Sequence, residues 1–416
     1  MLAAGDVRSV YQPIVDLDTG AVIAYEALAR GPVGCALERP DVLFDVARRA
    51  GRLAELDAAC HSAALGGAMA AGLAPPWSLF INAEPETAGD AFRPGTSYGP
   101  GRRTPDSDSR PRVVVELTER ALTADPTQLL QAVGRIRGRG WGIALDDVGT
   151  DRDSLALLPL LRPDVIKLDL RLVQQRPSRD IAEIVCAVNA EAERSGTAVL
   201  AEGIETEEHF DIARGLGATL GQGWMLGRPA LLPAALPTFA GTMIGIADRC
   251  SQVPEVSPFT LGAALIAPRA ARKPLLIEMS KHLERQVIAS GETAVVLAAF
   301  QHASFFTPQT RGRYTQLADT AAFVGALGLG MPAEPIPGVR GGLLEPDDPL
   351  VGEWDIVVIG PHYAATLVAR DLGDGGADAE RRFEFVLSHN RELAISVATS
   401  LMSRISPKVE RHPVGH

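Results

Sequence analysis

Apolar positions in the first 230 residues come in short runs, each followed by a longer stretch in which they recur every three or four residues. Short runs bounded by turn formers read as strands, and the wider spacing reads as amphipathic helix. YQPIVDL (11–17) and AVIAYEALA (21–29) are therefore expected as strands, and the short Asp18-Thr19-Gly20 link makes them an antiparallel pair. Helices are expected at about 40–50 and 52–72. A regular rhythm follows, with strands at 78–83, 112–118, 142–147, 164–170, 198–204 and 218–224. Helical stretches at about 126–139, 153–161, 179–195 and 206–216 fall between the last five. Eight strands, seven of them parallel, in a β-then-α repeat predict an α/β fold: a (β/α)8 TIM-like barrel with one antiparallel strand.

Two stretches break the pattern. Residues 84–112 hold five prolines and no helical period, and read as a long loop. Residues 231–258, with Pro233, Pro237, Pro254 and Pro258, read as an interdomain linker. The chain thus divides into a barrel (1–232), a linker (233–258), a smaller α/β domain (259–405) and a disordered tail (406–416). In the smaller domain, strands are expected at 294–300, 338–344, 355–360 and 382–388. Helices are expected at 274–289, 311–327 (on Tyr314, Leu317, Phe323 and Leu327) and 391–405.

Composition narrows the function. The 416 residues are 46% apolar, enough for two cores, and 51 acids against 40 bases give a net charge of −11. That balance argues against duplex nucleic acid or an anionic membrane as the main partner. No apolar run reaches the length of a bilayer-spanning helix, and the start lacks the apolar core of a signal peptide, so a cytoplasmic protein without membrane insertion is expected. Cys35, Cys60, Cys186 and Cys250 are scattered and form no CxxC pair; they are expected as small buried apolar residues.

The acids carry the chemistry. Glu26, Asn82, Glu116, Asp146 with Asp147, Lys167 with Asp169, Glu202 and Gln222 all fall near the C-terminal ends of successive strands. In a parallel barrel those ends share one mouth, where active sites are built. A lone acid at a strand end is ordinarily a solvated loop residue, and a lone Asp-Asp pair a cap or turn. Recurrence on strand after strand is what points to a site. Converging carboxylates repel unless cations sit among them, and an oxygen-rich set favours Mg²⁺ or Mn²⁺. Strand alternation puts Asp146 and Asp147 on different sides of the strand end. One bridging carboxylate among others suits a two-metal site that activates water for in-line displacement at phosphorus.

YEALAR (25–30), with YQPIVDL, FINAE, VVVELTER, GIALDDVGT, DVIKLD, AEGIET and GQGWMLGRP, resembles the EAL domain family of cyclic di-GMP phosphodiesterases over roughly residues 8–232. The resemblance implies metal-dependent hydrolysis of cyclic di-GMP to linear pGpG. By analogy Glu26, Asn82, Glu116 and Asp146 hold a first metal, and Asp146 and Asp147 a second with help from Glu202. Lys167 orients the attacking water, with Glu26, Lys167 and Glu202 forming the catalytic set. Gln12, Leu28, Arg30 and Gln222 would line the substrate. Glu119, Asp169 and Glu205 would support the loops and Lys167. A non-catalytic cyclic di-GMP receptor is the alternative, disfavoured by the intact acidic set.

Two features stand apart from that family. After the Asp-Asp pair the family reads Phe-Gly-Thr-Gly, whereas here Val148-Gly149-Thr150-Asp151-Arg152-Asp153-Ser154 follows. That loop couples dimerisation to the second metal in the family, so a monomer or homodimer with weak concentration dependence is expected. Residues 258–405, through AAFQHASFFT, GEWDIVVIGPHYAATLVARDL and RRFEFVLSHNREL, resemble the DICT sensory domain, which implies an unknown small-molecule signal. His302, His362 and His389 are expected as scattered residues rather than a metal site, and Phe305, Phe306 and Trp354 as core.

Overall fold

Antiparallel pairing starts the chain, as its turn requires. In the computed structural model, which describes residues 6–84, 110–118, 125–150, 152–246, 256–290, 294–374 and 377–407, β1 (Arg8–Asp16) and β2 (Val22–Arg30) form a hairpin. The Asp16 carboxylate accepts the N–H groups of Asp18 and Thr19, and Gly20 takes a positive φ of 69°, so the link turns tightly. The strands β3 (Ser78–Asn82), β4 (Arg112–Thr118), β5 (Gly142–Val148), β6 (Val165–Leu168), β7 (Ala198–Ala201) and β8 (Leu220–Gly221) follow in parallel. Because β1 pairs antiparallel with both β2 and β8, the barrel closes in chain order with a single reversed strand.

The helices are α1 (Pro40–Arg49), α2 (Leu53–Ala70), α3 (Pro126–Arg137), α4 (Leu158–Leu161), α5 (Leu170–Gln174), α6 (Arg179–Ser195) and α7 (Glu207–Gly215). Their ends follow local chemistry. Ser178 and Thr206 cap the N-termini of α6 and α7 through their hydroxyls, and Gly196, in the left-handed region, ends α6. The last three strands are shorter than the apolar runs suggested. Beyond Leu168, Ala201 and Gly221 the chain leaves the ladder for the mouth, and Asp169 caps α5 by accepting the Arg171 N–H.

Part of the stretch expected as linker closes the barrel's N-terminal end. Ile244 is buried with Ile14, Phe80, Val114 and Leu200 in the barrel core, and Phe239 and Ile246 pack against that core. Phe239 meets Trp77 edge-on at 5.3 Å, and Thr242 N–H donates to Asp16. Prolines here shape a covering segment, because an open barrel end would leave apolar side chains in water.

The C-terminal sheet has seven strands: β9 (Arg269–Arg272), β10 (Val295–His302), β11 (Phe323–Leu329), β12 (Val339–Leu343), β13 (Glu353–Ile359), β14 (Ala364–Asp371) and β15 (Arg382–Ser388). Their order is β12-β11-β10-β13-β14-β15-β9, parallel among the first three and antiparallel thereafter. The helices α8 (Pro258–Leu265), α9 (Lys273–Ser290), α10 (Pro308–Ala318) and α11 (Arg391–Met402) cover it. Leu276 and Leu283 of α9 and Tyr314 and Leu317 of α10 share a core with Ala298, Ala326, Ile356 and Leu367. On the other face, Gly262 of α8 lies against Val368 and Val386.

The expected helix 311–327 is corrected: α10 stops at Ala318, and Phe323–Leu329 is β11, buried almost throughout. A strand buried on both faces loses its period of two, so its apolar run passes for a helix continuation. The same effect hid β14. Cys35 and Cys186 are exposed, contrary to expectation, and Cys60 is buried. By packing, the chain splits into two compact units: 1–121, 132–150 and 162–251, then 122–131, 151–161 and 252–416. No helix among the described residues is long and apolar enough to cross a membrane. Residues 85–109 of the expected loop, Glu119, Cys250 and the residues beyond 407 lie outside the described residues, and Arg112 at the end of that stretch already belongs to β4.

Candidate active site

Each strand delivers its polar residue near the mouth. Glu26 of β2 lies opposite Gln12 of β1 in register, while Asn82 of β3 lies opposite Glu116 of β4. Thr118 is then opposite Asp146, and Lys167 of β6 opposite Leu200 of β7, with Glu202 just past that strand and Gln222 just past β8. Rigid strands hold these side chains more firmly than loops would.

Lys167 is the hub. Its side chain is 1% exposed, and Nζ lies 2.8 Å from Glu116 Oε1, 2.9 Å from Asp146 Oδ1, 2.9 Å from Glu202 Oε1 and 3.9 Å from Glu26 Oε2. Burial pulls the lysine's pKa down, but Asp146, Glu116, Glu202 and Glu26 more than offset it and hold it well above the ordinary value. Glu116 is pushed well up by complete burial and the nearby Glu26, which outweigh the ammonium. Burial also raises Glu202; Lys167 pulls it back, Asp146 and Glu26 add to the rise, and it comes to about 7. Glu26 is fixed from two sides, since Asn82 Nδ2 donates to Oε1 at 3.0 Å and Gln222 Nε2 to Oε2 at 2.7 Å.

Asp146 and Asp147 do not point to different sides. Leu145 pairs with Ile166 and Val148 with Leu168, so two residues of β5 stand against Lys167 alone. This is a β-bulge, and Asp147 within it adopts a φ of +59°, a conformation Asp tolerates better than most residues. The bulge turns both carboxylates to one place: Asp146, Asp147 and Glu202 each offer an oxygen within 4.8 Å of the others.

The donor set fits divalent metal. Four carboxylates (Glu26, Glu116, Asp146 and Glu202) face one ammonium, Asp147 joins Asp146 and Glu202, and Glu116 Oε2 and Gln222 Oε1 are buried with no hydrogen-bond partner among the described residues. Oxygen ligands alone suit a hard cation.

The remaining expected residues lie at the margin. Arg30 and Leu28 line a cavity of about 280 Å³ beside Glu26 and Asn82, with Phe44 and His61 on its wall. Arg30 donates to the Ala29 carbonyl, and Gln12 Nε2 to that of Gly227 at 3.1 Å. Asp169 pairs with Arg171 at 2.7 Å and caps α5, and Glu205 is exposed, so Lys167 contacts neither; its partners are the four acids of the mouth.

A pair unforeseen from sequence backs Asn82. His61 of α2 donates through Nε2 to the Asn82 carbonyl at 2.8 Å, with Asp57 one turn earlier at 3.4 Å. The signal was an Asp and a His four residues apart, both buried in a largely apolar helix.

Known families match both parts of the chain. The EAL domain family model matches residues 1–229, and a model for a sensory domain in diguanylate cyclases and two-component systems matches 260–372. An uncharacterised protein of Azorhizobium caulinodans is 32% identical over 244 residues, 55% of this chain and 32% of that one. A probable cyclic di-GMP phosphodiesterase of Escherichia coli K12, PdeB, is 30% identical over 241 residues, 53% of this chain and 42% of that one. Among solved structures, the Klebsiella pneumoniae BlrP1 complex with calcium and cyclic di-GMP is 29% identical, with a TM-score of 0.46 over 54% of this chain and 56% of that one. The chain spans less than half the length of either curated relative.

Proposed function

The chain belongs to the EAL domain family, and from that membership we propose that its barrel, residues 1–232, hydrolyses one phosphodiester of cyclic di-GMP to give linear pGpG, using Mg²⁺ or Mn²⁺. The observation that carries this reading is the convergence of four carboxylates on Lys167, two of which, Asp146 and Glu202, also offer oxygens within 4.8 Å of each other and of Asp147. Glu26, Asn82, Glu116 and Asp146 would hold one ion, and Asp146, Asp147 and Glu202 would hold a second. Such ions, when bound, activate water and neutralise phosphate oxygens.

The chain's own residues do the rest. Asn82 and Gln222 lock the Glu26 carboxylate in one rotamer. Lys167 directs its three N–H bonds to Glu116, Asp146 and Glu202 and, by fixing those acids, orients the attacking water. Glu202, held beside Lys167, takes the proton that water gives up. Arg30 offers its planar fork to a phosphate, and Leu28 and Gln12 shape the rest of the approach. Residues 259–405 form the sensory domain, which biases barrel turnover when its signal binds.

The test is purified full-length chain with cyclic di-GMP and either metal, with product separated by chromatography. Linear pGpG is expected, abolished by EDTA and reduced at least about 100-fold by Glu26→Ala or Asp146→Ala. Retained cyclic di-GMP binding without turnover under either metal would overturn catalysis.

A further inference from the structure

The C-terminal unit contains a cavity of about 340 Å³ that the barrel chemistry does not use. It lies over Ala298 and Ile356 of the sheet, beneath α9 and α10. Two aromatic groups wall it. Phe300 and Tyr314 meet edge-on at 5.5 Å, and Trp354 meets Phe383 edge-on at 5.8 Å. Phe305 also lines it, capped by the Lys273 ammonium at 4.9 Å. Of the three aromatics expected to be core, only Phe306 is buried there; Phe305 and Trp354 line this space.

Three features mark it as more than a packing gap. Tyr314 and Ser280, both on its lining, hold buried hydroxyls with no hydrogen-bond partner among the described residues. A buried hydroxyl left unmet costs about 1–3 kcal/mol, so a group that meets it is favoured. Burial keeps the Tyr314 phenol protonated, hence a donor. Second, the charges on the lining are already matched: Lys273 with Asp378 at 2.5 Å, Arg313 with Glu284 at 2.6 Å, Lys281 with Glu278 at 2.7 Å. Third, Gln301 on the lining has a φ of +60° where β10 bulges, two residues standing against Gly328 of β11. Strain of that kind persists where the surroundings hold it, and it gathers at ligand sites.

We propose that this cavity is a small-molecule site, and that its ligand is an uncharged, planar aromatic or heteroaromatic molecule of one or two rings bearing a hydrogen-bond acceptor. The rings pack on the aromatic walls, as flat apolar ligands do. The acceptor takes the Tyr314 hydroxyl hydrogen, and Ser280 gives or accepts a second bond. A net charge on the ligand finds no free counter-charge and must break an existing pair. The volume is at the small end of ligand sites, about 300–1,000 Å³, which limits the ring count. The assignment deepens the sensory reading of this domain and is independent of barrel turnover.

The test is calorimetric titration of the full-length chain with three probes: 4-hydroxyquinoline (neutral, two rings, an acceptor oxygen), indole (no acceptor) and 1-naphthoate (charged). The expected order is 4-hydroxyquinoline tightest, indole weaker, naphthoate not detected. Tyr314→Phe, which deletes only the unmet hydroxyl, should weaken 4-hydroxyquinoline about tenfold, leave indole unchanged, and keep or raise the melting temperature. Phe305→Ala, on a part-exposed wall residue, should weaken both neutral probes. No heat from either neutral probe at about 1 mM, binding of 4-hydroxyquinoline undiminished in Tyr314→Phe, or tighter binding of naphthoate would each overturn the assignment. Because no probe is turned over, failure here leaves the phosphodiesterase reading standing, and loss of turnover leaves this one standing.

Discussion

Lys167 carries more of the site than any other side chain, because one buried ammonium holds three carboxylates at hydrogen-bond distance. Lys167→Met keeps the length and removes the charge, leaving the acids to repel. The expected results are a loss of about 3–5 kcal/mol of stability without metal, partial recovery with Mg²⁺ or Mn²⁺, and turnover reduced at least about 100-fold. Paired melting curves and chromatographic rates check this, and an unchanged melting point would show that the acids are neutralised some other way. Glu202 sets a pH dependence in the metal-free protein. Its folded pKa is about 7 against an ordinary 4.5, so between those values the folded state holds the extra proton. That contribution is complete below about pH 4.5 and is lost as the pH rises through 7. Calorimetry of EDTA-treated protein should therefore show stability falling from about pH 5 to 8 by something on the order of 1–3 kcal/mol. Divalent metal should flatten the slope, since the ion displaces the proton, and so should Glu202→Gln. An equal slope in that variant would assign the proton elsewhere.

At the scale of elements, bulges matter more than strand count. The bulge in β5 places Asp146 and Asp147 together, and it depends on Asp147 holding a φ of +59°. Asp147→Asn keeps a residue at ease in that region and removes the carboxylate. It should fold as the parent does while losing most turnover. Asp147→Val forces a β-branched side chain into the same backbone and should also cost about 1–3 kcal/mol of stability. Denaturant titration of the two variants separates charge from backbone; equal destabilisation in both would deny the strain. The β10 bulge at Gln301 is the same device in the other sheet. Alternating patterns announce neither, because a bulge interrupts the period of two that makes a strand legible.

Over the whole molecule, the chain packs as two compact units, one with a core around Phe80, Val114 and Leu200 and one with a core around Leu283, Tyr314 and Leu367. Chemical unfolding should thus show two transitions. Ile244→Ala, which opens the barrel's N-terminal end, should lower the barrel's transition by about 2–4 kcal/mol, and Leu283→Ala should move the other. A single transition shifted equally by both variants would show one cooperative unit instead. The sequence alone determined the β-then-α order, the antiparallel opening pair and the strand positions of Glu26, Glu116, Asp146 and Lys167, with Glu202 at the end of its run. Those depend on local periodicity, on turn length and on which residue ends a run, all readable over a few positions. What only the tertiary structure decided is non-local. It seated Phe239 and Ile244 on the barrel's N-terminal end, backed Asn82 with His61, and turned a run expected as helix into a doubly buried strand. It also put Phe305 and Trp354 on a cavity wall. Each of these depends on partners distant in the chain, and burial on every side removes the polar positions by which a sequence shows which way its elements face.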